Sequence, residues 1–157
     1  MSMKQRGFTL IELLVTVAII GILAAIVIPN MLQAIDKSRQ NRTMADLRTV
    51  GTALEEYNID NSAYPVMASE AVLAGSALEL ALEPVFIRVL PTADAWQNGM
   101  RYASDGTVYT AGSLSRDGRM GGNLTVSGIG GATTQFDCDI VFSNGQFLQW
   151  PEGAQLD

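Results

Sequence analysis

The ionisable side chain in the most unusual surroundings is Glu12. It lies within residues 8–28, a segment of 21 positions that contains no other ionisable side chain. A carboxylate near the start of a lipid-embedded helix costs on the order of 2–3 kcal/mol, so we expect a partner that offsets this cost. The alternative is that Glu12 only reaches up to the lipid headgroups.

Composition excludes several kinds of catalytic site. The chain has no histidine and one cysteine, Cys138, so Ser-His-Asp and Cys-His catalysis and an internal disulfide are impossible, and no Cys/His cluster exists to hold zinc. The net charge of −6 makes binding of nucleic acid unexpected. The acidic region around Asp117 is the only candidate for paired-carboxylate or metal chemistry.

The segment that carries Glu12 has the length of a membrane span. Its 21 residues would extend roughly 30 Å as a helix. Lys4 and Arg6 precede it, which predicts a cytoplasmic N-terminus and translocation of the chain beyond Pro29. A secretory signal peptide is the alternative, but the apolar run is longer than usual and no polar region follows Ala24-Ala25.

The helical pattern continues beyond the apolar segment. Apolar residues recur at helical spacing from Met44 to Tyr57, while charged residues occupy the other positions. We therefore predict one helix from about Phe8 to about Ile59. Gly21 and Pro29 are open to two interpretations: points where the helix loses order, or a close-packing point and the membrane boundary.

The rest of the chain predicts an α+β head. Residues 69–82 suggest a short helix with Ser69 as its N-cap. Beyond residue 91, β-branched and aromatic residues alternate with turns, and Asn144-Gly145 between apolar segments indicates a hairpin. We expect the second half of the long helix to pack on a small antiparallel sheet.

The N-terminal string from Gly7 to Pro29, GFTLIELLVTVAIIGILAAIVIP, resembles the processing and assembly segment of type IV prepilins and type II secretion pseudopilins. The resemblance implies that a prepilin peptidase cuts between Gly7 and Phe8 and methylates the new Phe8 amine. Loss of Lys4 and Arg6 would change the net charge from −6 to −8. Glu12 would then pair with the Phe8 amine of an adjacent subunit.

The same resemblance implies a division of the chain and a set of partners. Residues 1–7 would be the leader, 8–29 the transmembrane and filament-core helix, 30–60 the amphipathic half of that helix, and 61–157 the globular head. The subunit would contact membrane lipid before it enters a helical homopolymer. Its other partners would be prepilin peptidase, the minor pseudopilins and the inner-membrane assembly platform, with the head in the periplasm of a bacterium.

The C-terminal part is similar to the major pseudopilin of type II secretion in the order of its motifs. Asp94-Ala95-Trp96 precedes the glycine-rich segment 113–122 and then Asp137-Cys138-Asp139. This similarity implies a calcium ion held by Asp117 and Asp139, with Asp137 as a further candidate ligand. Ala95 and Gln97 depart from the usual Asp-Pro-Trp-Gly. The alternative is that Asp117-Gly118 forms an ordinary turn and the other aspartates are solvated strand residues.

Two classes of function follow from these features. The chain is expected to be a structural subunit of a helical filament, and the competing interpretation is an extracytoplasmic enzyme or binding domain that is only tethered by its N-terminal helix. A tether gives no reason for Glu12 to lie within the span. The single cysteine and the implied calcium favour a secretion pseudopilus over a type IV pilus for adhesion, motility or DNA uptake, where a disulfide often closes the C-terminal loop.

Overall fold

The computed structural model describes residues 7–121 and 130–156. By its internal contacts the chain divides into two compact units, Met1–Ile35 and Asp36–Asp157. We call the second unit the head. Residues 1–6 of the predicted leader and residues 122–129 lie outside the described part of the chain.

One helix, α1, runs from Leu10 to Asn61 and confirms the predicted long helix. It continues through Gly21 and Pro29 without a break. By length and composition this helix can cross a membrane. Within the N-terminal unit its large apolar side chains are exposed, from Leu10 at 81% to Ile35 at 38%. A helix that is apolar on every side needs either lipid or other helices around it.

The head half of α1 shows why the sequence is amphipathic there. Its buried residues follow helical spacing: Gln40, Thr43, Leu47, Val50, Gly51, Ala53 and Leu54. Gly51 marks the closest approach to the sheet, because a Cβ at this position would lie 2.3 Å from Phe142 Cε1. The face predicted from the sequence is therefore the face that packs on the sheet.

Six strands are described, and they form one sheet in the order β1-β2-β3-β5-β6-β4. Their bounds are β1 Met67–Val72, β2 Arg101–Ser104, β3 Tyr109–Ser113, β4 Gly131–Gln135, β5 Ile140–Ser143 and β6 Gln146–Leu156. Every pair is antiparallel except β4 and β6. The fold class is the predicted α+β arrangement, with the parallel edge strand β4 as an addition that the sequence analysis did not include.

The predicted helix over residues 69–82 is wrong in its first half. Residues 67–72 form β1, and the second helix, α2, covers only Ala77–Leu82 with Ser76 as its N-cap. Glu79 N donates to Ser76 Oγ at 3.4 Å, and Gly75 adopts a φ of +67° just before the cap. Pairing of β1 with β2 overrides the helical preference of its alanines, because sheet partners depend on tertiary context.

The predicted Asn144-Gly145 hairpin is confirmed. Both residues have positive φ, 45° and 82°, as a turn that matches the twist of paired strands requires. β6 continues past Trp150 to Leu156 and pairs with β4 on its other side. An amide contact, Gln40 Nε2 to Gln155 Oε1 at 3.2 Å, links the far end of β6 to α1.

Tyrosines fill much of the space between the helix and the sheet. Tyr102 and Tyr109 are fully buried, and the Tyr64 and Tyr109 rings meet edge to face at 4.8 Å. Burial raises the pKa of Tyr64 and of Tyr102 to about 12, and it raises the pKa of Tyr109 as well. The Tyr64 hydroxyl also donates to Glu55 Oε2 at 2.9 Å, which favours its protonated form further.

Candidate functional site

The predicted cleavage bond, Gly7–Phe8, lies just before α1. Both residues are exposed and have no regular secondary structure, and Phe8 is 72% exposed. A peptidase needs its scissile bond outside a helix, so this placement is compatible with the predicted cut. Cleavage and methylation at this bond stay predictions.

Glu12 makes local hydrogen bonds with Thr9 at the start of α1. Its Oε2 accepts from Thr9 N at 2.9 Å and from Thr9 Oγ1 at 2.7 Å, and Glu12 N donates to Thr9 Oγ1 at 3.3 Å. This is a reciprocal capping box, in which two otherwise unpaired N–H groups gain acceptors. Thr9 was not among the predicted site residues, although the Thr-x-x-Glu spacing that begins there predicts such a box.

Asp94, in the predicted motif order, organises the loop before β2. It is 2% exposed, and its Oδ1 accepts from Trp96 N at 2.9 Å and from Asn98 N at 2.8 Å. Its Oδ2 accepts from Ser113 Oγ at 2.7 Å, which ties the loop to the end of β3. The Trp96 indole then donates to Asp36 Oδ1 at 3.2 Å on α1. Asp94 therefore acts as a loop-forming residue.

The three predicted metal ligands share one cavity. Asp117, Asp137 and Asp139 all line a space of about 310 Å³ at the end of the sheet, together with Gly121 and Gln135. The structure thus brings together residues 20 and more positions apart in the sequence. Within residues 7–121 and 130–156, however, no three carboxylates, cysteines or histidines converge closely enough to form a complete ligand cluster.

Asp139 has a buried carboxylate oxygen that lacks a hydrogen-bond partner among the described residues. It is 9% exposed, its Oδ2 accepts from Gly121 N at 2.7 Å, and its Oδ1 is buried without a hydrogen-bond partner among the described residues. Burial, and the nearby charge of Asp117, raise the pKa of the Asp139 carboxyl. A buried carboxylate oxygen without a partner is costly, and an oxygen-ligating cation would satisfy it.

The other two aspartates are differently engaged. Asp117 Oδ1 accepts from Arg119 N at 2.9 Å, which is the turn contact of the alternative interpretation. Asp137 Oδ1 accepts from Arg116 Nε at 2.7 Å. Burial and the surrounding aspartates raise the pKa of the Cys138 thiol, as expected for a packed rather than a reactive cysteine.

The chain is similar in sequence to two known families and to several proteins. The prokaryotic N-terminal methylation motif matches residues 2–28, and the type II secretion system protein G family matches residues 30–131. The type II secretion system core protein G of Vibrio cholerae is 37% identical over 134 residues, which cover 81% of this chain and 91% of that protein. No solved structure matches the chain significantly.

Two further relatives carry the same name. The core protein G of Pseudomonas aeruginosa is 33% identical over 137 residues, or 81% of this chain and 94% of that protein. The Escherichia coli K12 protein is 35% identical over 126 residues, or 75% of this chain and 86% of that protein. The similarity therefore extends along most of this chain and most of each of these relatives, and it is not confined to the apolar N-terminus.

Proposed function

The chain belongs to the type II secretion system protein G family, and from this premise we propose that it is the structural subunit of a pseudopilus that drives protein export through the outer membrane. It is a filament component and not an enzyme. The names of its relatives favour secretion over the type IV pilus that the sequence left as the alternative.

The exposed apolar surface of α1 is the observation that carries this proposal. Between Leu10 and Ile35 it presents large aliphatic side chains on all sides, with Glu12 as the only charge. Lipid can cover such a surface in the inner membrane, and the helices of other copies can cover it in a filament. The subunit would start as a single-pass protein with a cytoplasmic N-terminus and a periplasmic head.

Assembly would change the partner of Glu12. In the single chain its carboxylate accepts from Thr9 N–H and hydroxyl groups, which are neutral donors. In the homopolymer the methylated Phe8 amine of the adjacent subunit would bring a positive charge, which adds an attraction between opposite charges that the neutral Thr9 donors do not supply. The gain favours the assembled register. Prepilin peptidase, minor pseudopilins and the assembly platform would act on the subunit along this route.

Mass spectrometry of the filament subunit tests the processing step. We expect the mature chain to begin at Phe8 with a methylated amine, and Gly7→Leu to leave the precursor uncut. Gly21→Leu is the matched control, because open space surrounds both glycines. Filaments that retain the leader, or that start at another residue, would contradict the proposal.

We further propose that the head binds one calcium ion through Asp117 and Asp139, with Asp137 beside them. The unpaired Oδ1 of Asp139, the shared cavity and the acidic character of its lining support this site. Calcium takes six to eight oxygen ligands, so backbone carbonyls and water would complete the set. The ion would neutralise carboxylates that otherwise repel one another and would stabilise the end of the sheet.

A further inference from the structure

Arg116 lies between two aspartates that belong to distant parts of the chain. Its Nε is 2.7 Å from Asp137 Oδ1, and its Nη1 is 3.9 Å from Asp36 Oδ2 on α1. The guanidinium carbon also lies 5.5 Å from the centre of the Phe136 ring. These contacts fix the position of a permanent positive charge beside Asp137, one of the residues that line the proposed calcium cavity.

Asp36 is itself held firmly. Its Oδ1 accepts from Arg39 Nη1 at 3.1 Å and from the Trp96 indole at 3.2 Å, and its side chain is only 15% exposed. An arginine anchored on a fixed carboxylate loses little further freedom when it binds a second one. The contacts with Asp36 and with the Phe136 ring therefore restrict Arg116 and favour its bond to Asp137.

We propose that Arg116 withholds Asp137 from the calcium ion and thereby sets the calcium affinity of the head. This inference rests on the proposed calcium site. The Asp137 Oδ1 that faces Arg116 accepts a short, charge-assisted hydrogen bond, whereas Asp139 Oδ1 has no hydrogen-bond partner in the part of the chain that the structure describes. A calcium ligand must approach the ion to about 2.3–2.6 Å, and a guanidinium bound to the same carboxylate opposes that approach.

Removal of the guanidinium would release a third carboxylate. Calcium affinity in oxygen-ligand sites rises with the number of charged ligands. Arg116→Gln should therefore bind calcium more tightly than the parent chain, although the substitution removes two ion pairs. A purely structural role for Arg116 predicts the reverse: a less stable head whose calcium affinity is unchanged or weaker.

A double-mutant cycle on the full mature chain in detergent micelles tests this. Isothermal titration calorimetry with calcium chloride is carried out on the parent, Arg116→Gln, Asp137→Asn and the double variant. We expect Arg116→Gln to tighten calcium binding about threefold to tenfold. Asp137→Asn should weaken binding severalfold more in the Arg116→Gln background than in the parent, because only there does Asp137 become a ligand.

Arg119→Gln is the matched control for charge. Arg119 lines the same cavity but forms no ion pair among the described residues, so its replacement changes the local charge equally without releasing a carboxylate. Its effect should be the same with and without Asp137→Asn. Thermal melts in chelator report whether each variant folds.

The outcomes separate the two proposals. Calcium binding by the parent with additive effects of Arg116→Gln and Asp137→Asn would overturn the role of Arg116 and leave the calcium site standing. Binding by Arg116→Gln but not by the parent would support that role. The absence of binding in all four chains, each folded in chelator, would overturn the calcium site and this inference together, without bearing on the pseudopilus.

Discussion

The two units of this chain differ in how much of α1 is buried within the protein. Before Asp36 the helix exposes its apolar side chains and has no core, whereas after it one face of the helix packs on the sheet and buries residues such as Leu47 and Leu54 completely. Hydrogen bonds within the helix satisfy the backbone N–H and C=O groups of the first unit, whereas tertiary packing stabilises the second unit. Substitutions should therefore separate cleanly into effects on assembly and effects on stability.

The largest effect should come from Glu12→Ala. Without the carboxylate, the Phe8 amine of the adjacent subunit loses its proposed counter-charge, so we expect processing to continue and filament assembly to fail. Electron microscopy and secretion of an exported enzyme measure the result. The melting temperature of the head should stay unchanged, and Thr16→Val, another polar position of the span, serves as the control. Normal assembly of Glu12→Ala would contradict the proposed role of this carboxylate.

Leu54→Ala should show the converse behaviour. Leu54 is completely buried in the core of the head. Its truncation is therefore expected to lower the free energy of unfolding by about 2–5 kcal/mol. Urea unfolding of the full chain in micelles measures this. Cleavage at Gly7–Phe8 should proceed as in the parent. Leu32→Ala, on the exposed apolar part of α1, should leave the unfolding free energy unaffected.

Calcium should stabilise only the head. At a hundredfold excess over Kd we expect about 2.7 kcal/mol of added stability, since the ion binds the folded chain alone. Asp139→Asn should abolish this gain and should melt no lower than the parent in chelator, because it removes a buried, partly unpaired charge next to Asp117. Magnesium should do little. Equal melting temperatures of the parent chain in calcium, in magnesium and in chelator would contradict the proposed calcium site.

A smaller effect should appear at alkaline pH. Tyr64 and Tyr102 have pKa values raised to about 12 in the folded head, above the ordinary value of 10.0. Their stabilising contribution is complete below pH 10 and is lost as the pH rises towards 12, at about 1.4 kcal/mol per pH unit for each proton. Denaturant midpoints between pH 8 and 12 measure the slope. Tyr102→Phe should make it shallower, and a flat profile would contradict the expectation.

Sequence reasoning was strongest where a pattern depends on local geometry. The long helix, its buried face and the Asn144-Gly145 hairpin follow from helical spacing and turn chemistry, and all three are confirmed. The first half of the predicted second helix was wrong because sheet pairing decides its structure. Asp94 and Arg116 act through partners up to dozens of residues away, and no local pattern indicates such contacts.

The place of β6 in the sheet sets the order of events during synthesis. β6, the last of the described strands, lies between β5 and β4, and Gln155 Oε1 accepts from Gln40 Nε2, 115 residues earlier in the chain. A chain that emerges N-terminus first cannot complete this sheet until residues 146–156 have appeared. The apolar helix can meanwhile enter the membrane, because it needs no partner in the head to form its hydrogen bonds. Insertion can therefore precede closure of the head.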